Sequence, residues 1–365
     1  MLRLSILALA AVLLSFTASA TTWTVSNNPN KPAQYTSLQT ASDSAAIGDT
    51  LLISGSPTSY GDITLNKQLH LIGEGIGPSL NDITTLGKLY MRCVDGTVNA
   101  SGSTVEGLNM GHFYWGGGYY GYDSDTLQNV TVNRCRMNYI VRANASYGKV
   151  KGFTFDQCII RYFVDFDGTN GWLGNSTGTM EAMEFTNCVF DGISSYHLYD
   201  VGDCNGHLVM RNCLFLSTSQ NLNNGDVNEA VFEDCMFIGT NFPTNVSGCV
   251  FNHCLSHQGN DPTLPPAGNS GSGNVSDDDP LFTAYNPTPV NHSWDHDYTL
   301  QAESPAIGTG TSGTDIGIGG GAVSSFDGNL PHTPRGPVVT SLNLPVTAVA
   351  VGGTLQINVS AESRD

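Results

Sequence analysis

The sequence predicts an all-β chain folded as a parallel β-helix, a solenoid in which short strands stack coil upon coil. Two observations carry this prediction. A cysteine-centred motif recurs in one register along the middle of the chain. The composition is also poor in charge and rich in glycine, with charged residues at 13% and 42 glycines among 365 residues. A chain whose polarity comes mainly from Gly, Ser, Thr and Asn suits turns and stacked strands better than helices.

The motif has apolar residues five and three positions before a cysteine, the cysteine itself, and another apolar residue two positions after it. Such alternation has the two-residue period of strands with one buried face. Five copies share the register: Val130, Val132, Cys135, Met137; Phe153, Phe155, Cys158, Ile160; Met183, Phe185, Cys188, Phe190; Leu208, Met210, Cys213, Phe215; and Ala230, Phe232, Cys235, Phe237.

An earlier unit has Leu108 in the cysteine position, and a weaker later unit has Cys254. The units recur about every 24 residues, which is the range of repeats that stack into solenoids. Because they run in the same direction and are too short to contain crossover helices, their strands must pair in parallel.

Two polar residues precede each motif cysteine, such as Thr186-Asn187 and Glu233-Asp234. Two inserted residues keep the inward parity while bending the chain, and Asn and Asp tolerate left-handed backbone angles. Each unit is therefore predicted to be a strand, a tight corner, a second strand and a looser return.

The two ends of the solenoid carry different patterns. Residues 35–47 place Leu38, Ala41 and Ala45 on one helical face, which predicts a short N-terminal helix capping the open edge of the first coil. After Phe326, a Pro-rich stretch leads into two alternating runs around Gly352-Gly353, which predict a small C-terminal β segment.

The first 20 residues have the features of a signal peptide. A 13-residue apolar run from Leu4 to Phe16 precedes the small residues Ala18-Ser19-Ala20. The run is shorter than the ~20 residues of a membrane-spanning helix. The predicted organisation is a signal peptide at 1–20, the β-helix at 21–325 and a C-terminal β tail or cap at 326–365. The net charge of −18 argues against nucleic acid or an anionic membrane as partner.

Nine cysteines in a secreted chain raise the question of disulfides. Cysteines in the same slot of adjacent coils have parallel side chains about 4.8 Å apart, whereas a disulfide needs Cβ atoms about 3.8 Å apart and converging. The motif cysteines are therefore predicted to be free core thiols. Cys93, Cys204 and Cys249 lie outside the clear ladder, and a disulfide among them stays open. Zinc binding at residues 249–257 is disfavoured because His253 and Cys254 face opposite sides of a strand.

Several segments resemble a known superfamily. YTSLQTASDSAAIGDTLLIS (35–54) and ITLNKQLHLIGEG (63–75) are similar to the first coils of secreted pectate-lyase-like proteins. DDDPLF (277–282), DYTLQAESPAIGTG (297–310) and DIGIGGG (315–321) resemble the closing coils of bacterial surface proteins in that group. The resemblance implies a right-handed parallel β-helix over about residues 22–325. It leaves activity open, since the superfamily contains lyases, hydrolases and non-catalytic adhesins.

The return segments of the coils supply one candidate catalytic site. If Val141, Val164 and Leu198 point inward, then Arg142, Asp165 and His197 form one outward row, which Asn221 extends and Asp167 and Tyr199 flank. The alternative is that these polar residues simply coat the exterior of a solenoid.

The residue types in this row fit two chemistries. A pectate lyase needs carboxylates for calcium, here Asp165 and Asp167, and a base such as Arg142 or His197. A glycosidase needs paired carboxylates, for which Asp165 with Asp200 is the nearby pair. Calcium is therefore the candidate cofactor.

Two Gly-rich insertions supply a candidate binding site instead. Residues 111–125 include Tyr114, Trp115, Tyr119 and Tyr120, and residues 168–179 include Trp172. Tyr199, which flanks the predicted row, is a further candidate for substrate binding. Exposed Tyr and Trp rings on loops stack on sugar faces and offer polar edges. The alternative is that these rings pack the loops onto the coils.

The leading hypothesis is a secreted or cell-surface β-helix protein that binds polysaccharide or acts as an adhesin, without catalysis. Its partner is then an extracellular polysaccharide or a cell-surface glycan. The first alternative is a polysaccharide lyase or glycoside hydrolase that acts on an acidic polysaccharide. The second alternative is a purely structural surface solenoid.

Overall fold

The computed structural model describes residues 20–77, 83–94, 97–115, 126–142, 149–165, 180–191, 196–199, 201–217, 221–242, 245–286, 292–320, 338–343 and 358–362. These residues form one α-helix, α1 (Leu38–Ser44), a 3-10 turn at Thr311–Gly313, and strands.

The strands, in chain order, are β1 (Thr22–Val25), β2 (Thr50–Ile53), β3 (Ile63–Leu65), β4 (His70–Gly73), β5 (Thr84–Met91), β6 (Thr104–Glu106), β7 (Leu108–Trp115), β8 (Thr126–Gln128), β9 (Thr131–Asn133), β10 (Arg136–Arg142), β11 (Lys149–Asp156), β12 (Ile159–Asp165), β13 (Met180–Thr186), β14 (Val189–Asp191), β15 (Tyr196–Tyr199), β16 (Gly202–Asp203), β17 (Leu208–Arg211), β18 (Leu214–Leu216), β19 (Asn221–Asn224), β20 (Val227–Asn228), β21 (Val231–Glu233), β22 (Met236–Ile238), β23 (Val246–Ser247), β24 (Val250–Asn252), β25 (Leu255–His257), β26 (Phe282–Ala284), β27 (Asp297–Leu300), β28 (Val338–Asn343) and β29 (Asn358–Glu362).

Three parallel sheets run along the solenoid. The first sheet has the order β1-β2-β4-β6-β9-β11-β13-β17-β21-β24, with β8 also paired to β11. The second has the order β3-β5-β7-β10-β12-β14-β18-β22-β25, with β15 and β19 attached beside β12. The third is the short set β16-β20-β23. Successive coils contribute one strand to each long sheet, so the chain is an all-β parallel β-helix, as the repeat predicts.

The core lies between the sheets and is made of the motif residues. All twenty apolar positions of the five motif copies are buried, and equivalent residues stack between coils. Phe155 stacks on Phe185 at 4.7 Å between ring centroids, and Phe190, Phe215 and Phe237 form a column with spacings of 4.5 and 4.8 Å. Such stacking adds to the stabilisation that comes from burying the rings.

The corner before each motif cysteine has the backbone that the polar pair predicts. The residue immediately before the cysteine adopts a positive φ of 49–55° in every copy and in the later unit: Arg134, Gln157, Asn187, Asn212, Asp234 and His253. One left-handed residue turns the chain sharply from the first sheet into the second, and the cysteine side chain stays inside the corner.

The cysteines are free thiols, as predicted for the ladder, and all nine are buried. Each motif thiol reaches the carbonyl oxygen of the preceding coil, as in Cys188, whose Sγ lies 3.4 Å from the oxygen of Phe155. The thiols thereby fill the corner and give a carbonyl oxygen a weak donor. Cys93, Cys204 and Cys249 are free as well.

Helix α1 begins after Ser37, whose side chain accepts a hydrogen bond from the N–H of Thr40 at 3.3 Å. It buries Leu38 and Ala41 and packs against β1, β2 and β3, so it covers the first coil. It is shorter than the predicted span, because the backbone is already extended at Ala45.

At the other end, β26 pairs antiparallel with β27. The closing segment, residues 282–286 and 292–318, packs Phe282, Tyr298 and Ile316 on the outer face of the second sheet. Strands β28 and β29 form a separate antiparallel pair, which confirms a small C-terminal β segment. The predicted signal peptide lies outside the described residues apart from Ala20, and the domain boundaries stay predictions. In the described part of the chain no helix is long and apolar enough to cross a membrane.

Candidate functional site

The outer face of the second sheet divides into a covered half and an open half. Over β14, β18, β22 and β25 the outward residues are mostly apolar, including Val189, Leu214 and Met236, and they pack against Phe282 and Ile316 of the closing segment. Over β5, β7, β10 and β12 the outward residues are mostly polar or aromatic, and most are only partly buried, although Tyr90 is 8% exposed. This open half is the candidate site.

A bend in each of these strands determines which side chains face outward. In β7, Met110 and Phe113 are buried while Gly111 and His112 between them both point outward, so the alternation reverses within the strand. A Cβ atom on Gly111 would lie 2.5 Å from the carbonyl oxygen of Gly87, so the close approach of the two bends requires glycine at position 111.

Five outward rings form a continuous stack, here called the aromatic ladder: Tyr90, Tyr114, His112, Tyr139 and Tyr162. The successive ring centroids in this order are 5.0, 5.3, 4.7 and 4.8 Å apart, with interplanar angles of 10–22°. Because neighbouring rings face one another, the ladder offers solvent mainly ring edges and hydroxyl groups. A second pair, Tyr196 and Tyr199, lies 5.3 Å apart on β15.

Lys88 stands at the β5 end of the ladder, with its Nζ 5.8 Å from the centroid of the Tyr114 ring. Burial opposes its charge, but the phenols of Tyr90 and Tyr114 and the carboxylate of Asp62 outweigh burial and raise the pKa of Lys88. Burial and the nearby Lys88 lower the pKa of His112, so the ladder imidazole is neutral at pH 7.

A charged cluster lies beside the ladder at the boundary with the covered half. Arg136 on β10 and Arg161 on β12, here called the arginine pair, share this boundary with Asp191 on β14. The Nε of Arg161 is 3.8 Å from Oδ2 of Asp191, and the guanidinium of Arg161 lies 5.9 Å from the Tyr162 ring centroid. The ladder and the arginine pair therefore form one continuous surface.

Burial dominates the electrostatics of this cluster. Asp191 is 2% exposed, and burial raises its pKa to about 6 although the N–H of His292 and both arginines act to lower it. Burial, followed by the positive charge of Arg161, lowers the pKa of Arg136. The cluster therefore contains two positively charged arginines and one carboxylate that burial makes harder to ionise.

The predicted outward row loses His197, which is buried, whereas the catalytic roles of Arg142 and Asp165 stay a prediction. After its bend, β10 buries Ile140, which is aligned with the buried Val164, and Val164 is in turn aligned with the buried Leu198. Arg142 is aligned with Trp115, whereas Asp165 is aligned with Val141 and Tyr199. The reversal of alternation at the strand bend shifts β10 by one position relative to the prediction.

His197 is in the core rather than on the outside. It is completely buried, its ring lies 5.4 Å from that of Phe215, and Nε2 is 3.5 Å from Oγ1 of Thr240. Burial lowers its pKa to about 3, so the imidazole is neutral. Asn221 is aligned with Tyr196, and so it does not extend a row with Asp165.

The predicted sugar-binding aromatics divide into three groups. Tyr114 and Tyr199 are partly exposed on the outer face, as expected. Trp115 is a correction: it is 1% exposed and packs inside the coils, 6.0 Å from Phe153. Tyr119, Tyr120 and Trp172 lie outside the described residues, as do the calcium candidate Asp167 and the glycosidase candidate Asp200.

The sequence reasoning missed Tyr90, His112, Tyr139, Tyr162 and the arginine pair. Their position in the sequence was the available signal. Each lies within two positions in sequence of a buried residue of the strand that its coil contributes to the second sheet. The strand bend hides this signal, because it places two outward residues in succession. Within the described ranges, no group of three or more His, Cys, Asp or Glu side chains is arranged to hold a metal ion.

The stacked parallel sheets define the class of the chain, a parallel β-helix. No protein-family model and no curated protein sequence matches it. Among solved structures, a pectate lyase, Pel9A, is similar with a TM-score of 0.40 and 11% sequence identity, over 83% of this chain and 97% of that chain. A likeness this distant says nothing about activity, which has to be argued from the site.

Proposed function

We propose that this protein is exported and binds polysaccharide outside the cell, on the open half of the second sheet, without cleaving it. One observation carries the proposal. In a chain of net charge −18, an open β-helix face combines a stacked ladder of tyrosines and histidine with Lys88 and the arginine pair.

The chemistry of this face suits a polyhydroxylated polymer. Each phenol hydroxyl both donates and accepts a hydrogen bond, and the neutral imidazole does the same through its two nitrogens. Side chains at equivalent positions of adjacent coils repeat at about the 4.8 Å strand spacing. A regular row of donors and acceptors along the solenoid axis matches a ligand that is itself a regular chain, and rings held by their neighbours lose little entropy on binding.

The same face supports binding more than cleavage. The carboxylate of Asp191, at the edge of the ladder, is buried and accepts the backbone N–H of His292, with Arg161 Nε 3.8 Å away. His197, one of the three residues of the predicted catalytic row, is completely buried and cannot contact a ligand on this face. The arginine pair does favour an acidic polysaccharide as ligand, so a lyase or hydrolase that acts on such a polymer is the second candidate.

Affinity electrophoresis through gels that contain single polysaccharides tests the proposal. The panel includes neutral and acidic polymers, and the same polymers are assayed for depolymerisation with and without calcium. We expect retardation by at least one polymer and no loss of its chain length. Depolymerisation would establish the lyase or hydrolase alternative, and a protein that no polymer retards or shortens would support the purely structural solenoid.

Two pairs of variants locate the binding face. Tyr139→Phe with Tyr162→Phe removes two ladder hydroxyls but keeps the stacked rings, and Tyr139→Ala with Tyr162→Ala removes the rings. We expect about tenfold weaker binding for the first pair, since tenfold corresponds to about 1.4 kcal/mol, and a larger loss for the second. Thr131→Ala with Thr154→Ala, on the outer face of the first sheet, is the control. Equal retardation of all three would place binding elsewhere.

A further inference from the structure

The arginine pair is an unusual feature for an otherwise acidic surface. Arg136 and Arg161 are contributed by adjacent coils, and the charge of Arg161, after burial, lowers the pKa of Arg136. The Nε atoms of both are buried and have no hydrogen-bond partner among the described residues. Two neighbouring guanidinium groups of like charge, desolvated at Nε, are an arrangement that an anion stabilises.

Among the described residues, Asp191 is the carboxylate nearest the arginine pair, and it pairs poorly with it. Asp191 lies 3.8 Å from the Nε of Arg161, which is beyond hydrogen-bond distance, and its Oδ1 already accepts the backbone N–H of His292 at 2.8 Å. Within the described residues no acidic side chain lies within ion-pair distance of Arg136. One positive charge is thus left over at the edge of the aromatic ladder.

We propose that Arg136 and Arg161 form a subsite for an anionic substituent of the bound sugar, a carboxylate or a sulfate ester, and that Asp191 is an internal competitor for that subsite. This inference rests on the proposed polysaccharide binding, because the anion is attached to a sugar on the ladder. Arg161 lies over the ring of Tyr162, so the subsite and the ladder contact adjacent parts of one ligand.

The geometry defines the ligand class. A guanidinium group presents planar, forked N–H donors that match the oxygens of a carboxylate or a sulfate, and two such groups surround one anion from two sides. A neutral sugar has no anionic group to pair with the surplus positive charge of the arginine pair. The subsite therefore selects for charged sugars over their neutral counterparts.

Asp191 makes the subsite sensitive to pH. When Asp191 is ionised it attracts the same guanidinium groups as the ligand, and when it is protonated it releases them. The groups facing Asp191 are Arg136 and Arg161 from β10 and β12, and the His292 N–H and the phenols of Tyr285 and Tyr298 from the closing segment. Since burial raises the pKa of Asp191 to about 6, anion binding strengthens as the pH falls from 7.5 to 5.

The experiment follows the Arg Nε–Hε signals of the full-length protein by ¹⁵N NMR during titration with glucuronate, glucose 6-sulfate and glucose. Arg136→Gln and Arg161→Gln assign the two signals. We expect saturable shifts of both with the two anionic sugars and none with glucose; a shift with one anion alone identifies carboxylate or sulfate as the source. Equal shifts with glucose, or none with either anion, would overturn the subsite.

Gel retardation of the variants then separates the subsite from the general function. We expect Arg161→Gln to weaken binding of an acidic polymer about tenfold or more and to leave any neutral-polymer binding within twofold, while Lys151→Gln, on the first sheet, changes neither. Asp191→Asn should strengthen anion binding at pH 7.5 several-fold and abolish its pH dependence. Unchanged pH dependence in Asp191→Asn would refute the competitor role.

The two proposals fail in different ways. If the Arg signals shift with anions but no polysaccharide retards the protein, the general function is wrong and the anion site remains. If a polysaccharide retards the wild type and Arg161→Gln alike and the Arg signals do not move, the function stands and the subsite is wrong.

Discussion

Oδ1 of Asp191 accepts a 2.8 Å hydrogen bond from the backbone N–H of His292, across 101 residues of sequence. This bond joins the middle of the second sheet to the closing segment that covers the later coils. It lies at the line where the open, polar half of the outer face meets the covered, apolar half. The extent of the candidate site is therefore set by where the closing segment begins to cover the sheet.

The burial of Asp191 predicts a pH-dependent stability. Because the folded-state pKa is raised to about 6, the contribution of this group to stability is complete below about pH 4 and is lost as the pH rises through 6. The shift corresponds to roughly 3 kcal/mol. Relative to the wild type, Asp191→Asn should gain up to roughly this free energy of unfolding between pH 4 and pH 8. Urea unfolding at pH 4, 6 and 8 measures it, and a constant difference would contradict the assignment.

The burial of His197 predicts the opposite dependence of folding stability on pH. Burial lowers its folded-state pKa to about 3, so its contribution to stability is present above about pH 6.5 and is lost as the pH falls towards 3. Among the described residues Nδ1 has no hydrogen-bond partner and Nε2 has only the 3.5 Å contact with Oγ1 of Thr240, so an apolar replacement removes one long hydrogen bond.

The variant His197→Leu should be within about 1.5 kcal/mol of the wild type at pH 7. At pH 4 it should gain roughly 3 kcal/mol relative to the wild type. Thermal or urea unfolding at the two pH values provides the measurement, and polysaccharide retardation should not change. If the His197→Leu protein folded but no longer bound polysaccharide, His197 would have to be part of the binding site.

The cysteine ladder predicts nine titratable thiols. All nine cysteines are free and buried, and burial raises the pKa of Cys158, Cys188 and Cys213. A thiol reagent should therefore react with none in the native protein at pH 8 and with nine after denaturation without reductant. Fewer than about five after denaturation would contradict the ladder geometry.

The left-handed corners predict a residue-specific cost. Asn187 has a φ of 52° at the corner before Cys188. Asn187→Val should destabilise the protein by about 2 kcal/mol, because a β-branched residue is disfavoured in this conformation, whereas Asn187→Gly should be tolerated within about 1 kcal/mol. Urea denaturation of both variants checks this, with Thr186→Val, one residue earlier, as the control. Equal losses for Val and Gly would show that the side chain rather than the backbone angle matters.

The fold was predictable because its determinants are local and repeated. A coil of about 24 residues contains its own strands, corner and core residues, so the register of Phe155, Cys158 and Ile160 in one coil is readable again in Phe185, Cys188 and Phe190 of the next. Polar residues such as Asn187 and Asp234 marked the corners because few residue types accept a positive φ.

The site was less predictable because outward residues are not constrained by a core. Strict alternation made Val141 inward, but the bend in β10 places Asn138 and Tyr139 outward in succession and turns Ile140 inward. The same simple alternation made His197 outward, although His197 and Leu198 are both buried. No clear sequence pattern marks a strand bend at which the alternation of inward and outward residues reverses.

The sequence alone determined the class of fold, the cysteine ladder, the left-handed corners and the capping helix, since these follow from a short-range pattern repeated in every coil. Only the tertiary structure decided which outward side chains meet. The aromatic ladder exists because coil stacking brings Tyr114, Tyr139 and Tyr162 together from separate repeats. The arginine pair and Asp191 stand at its edge because a segment about a hundred residues away in sequence covers the rest of the sheet.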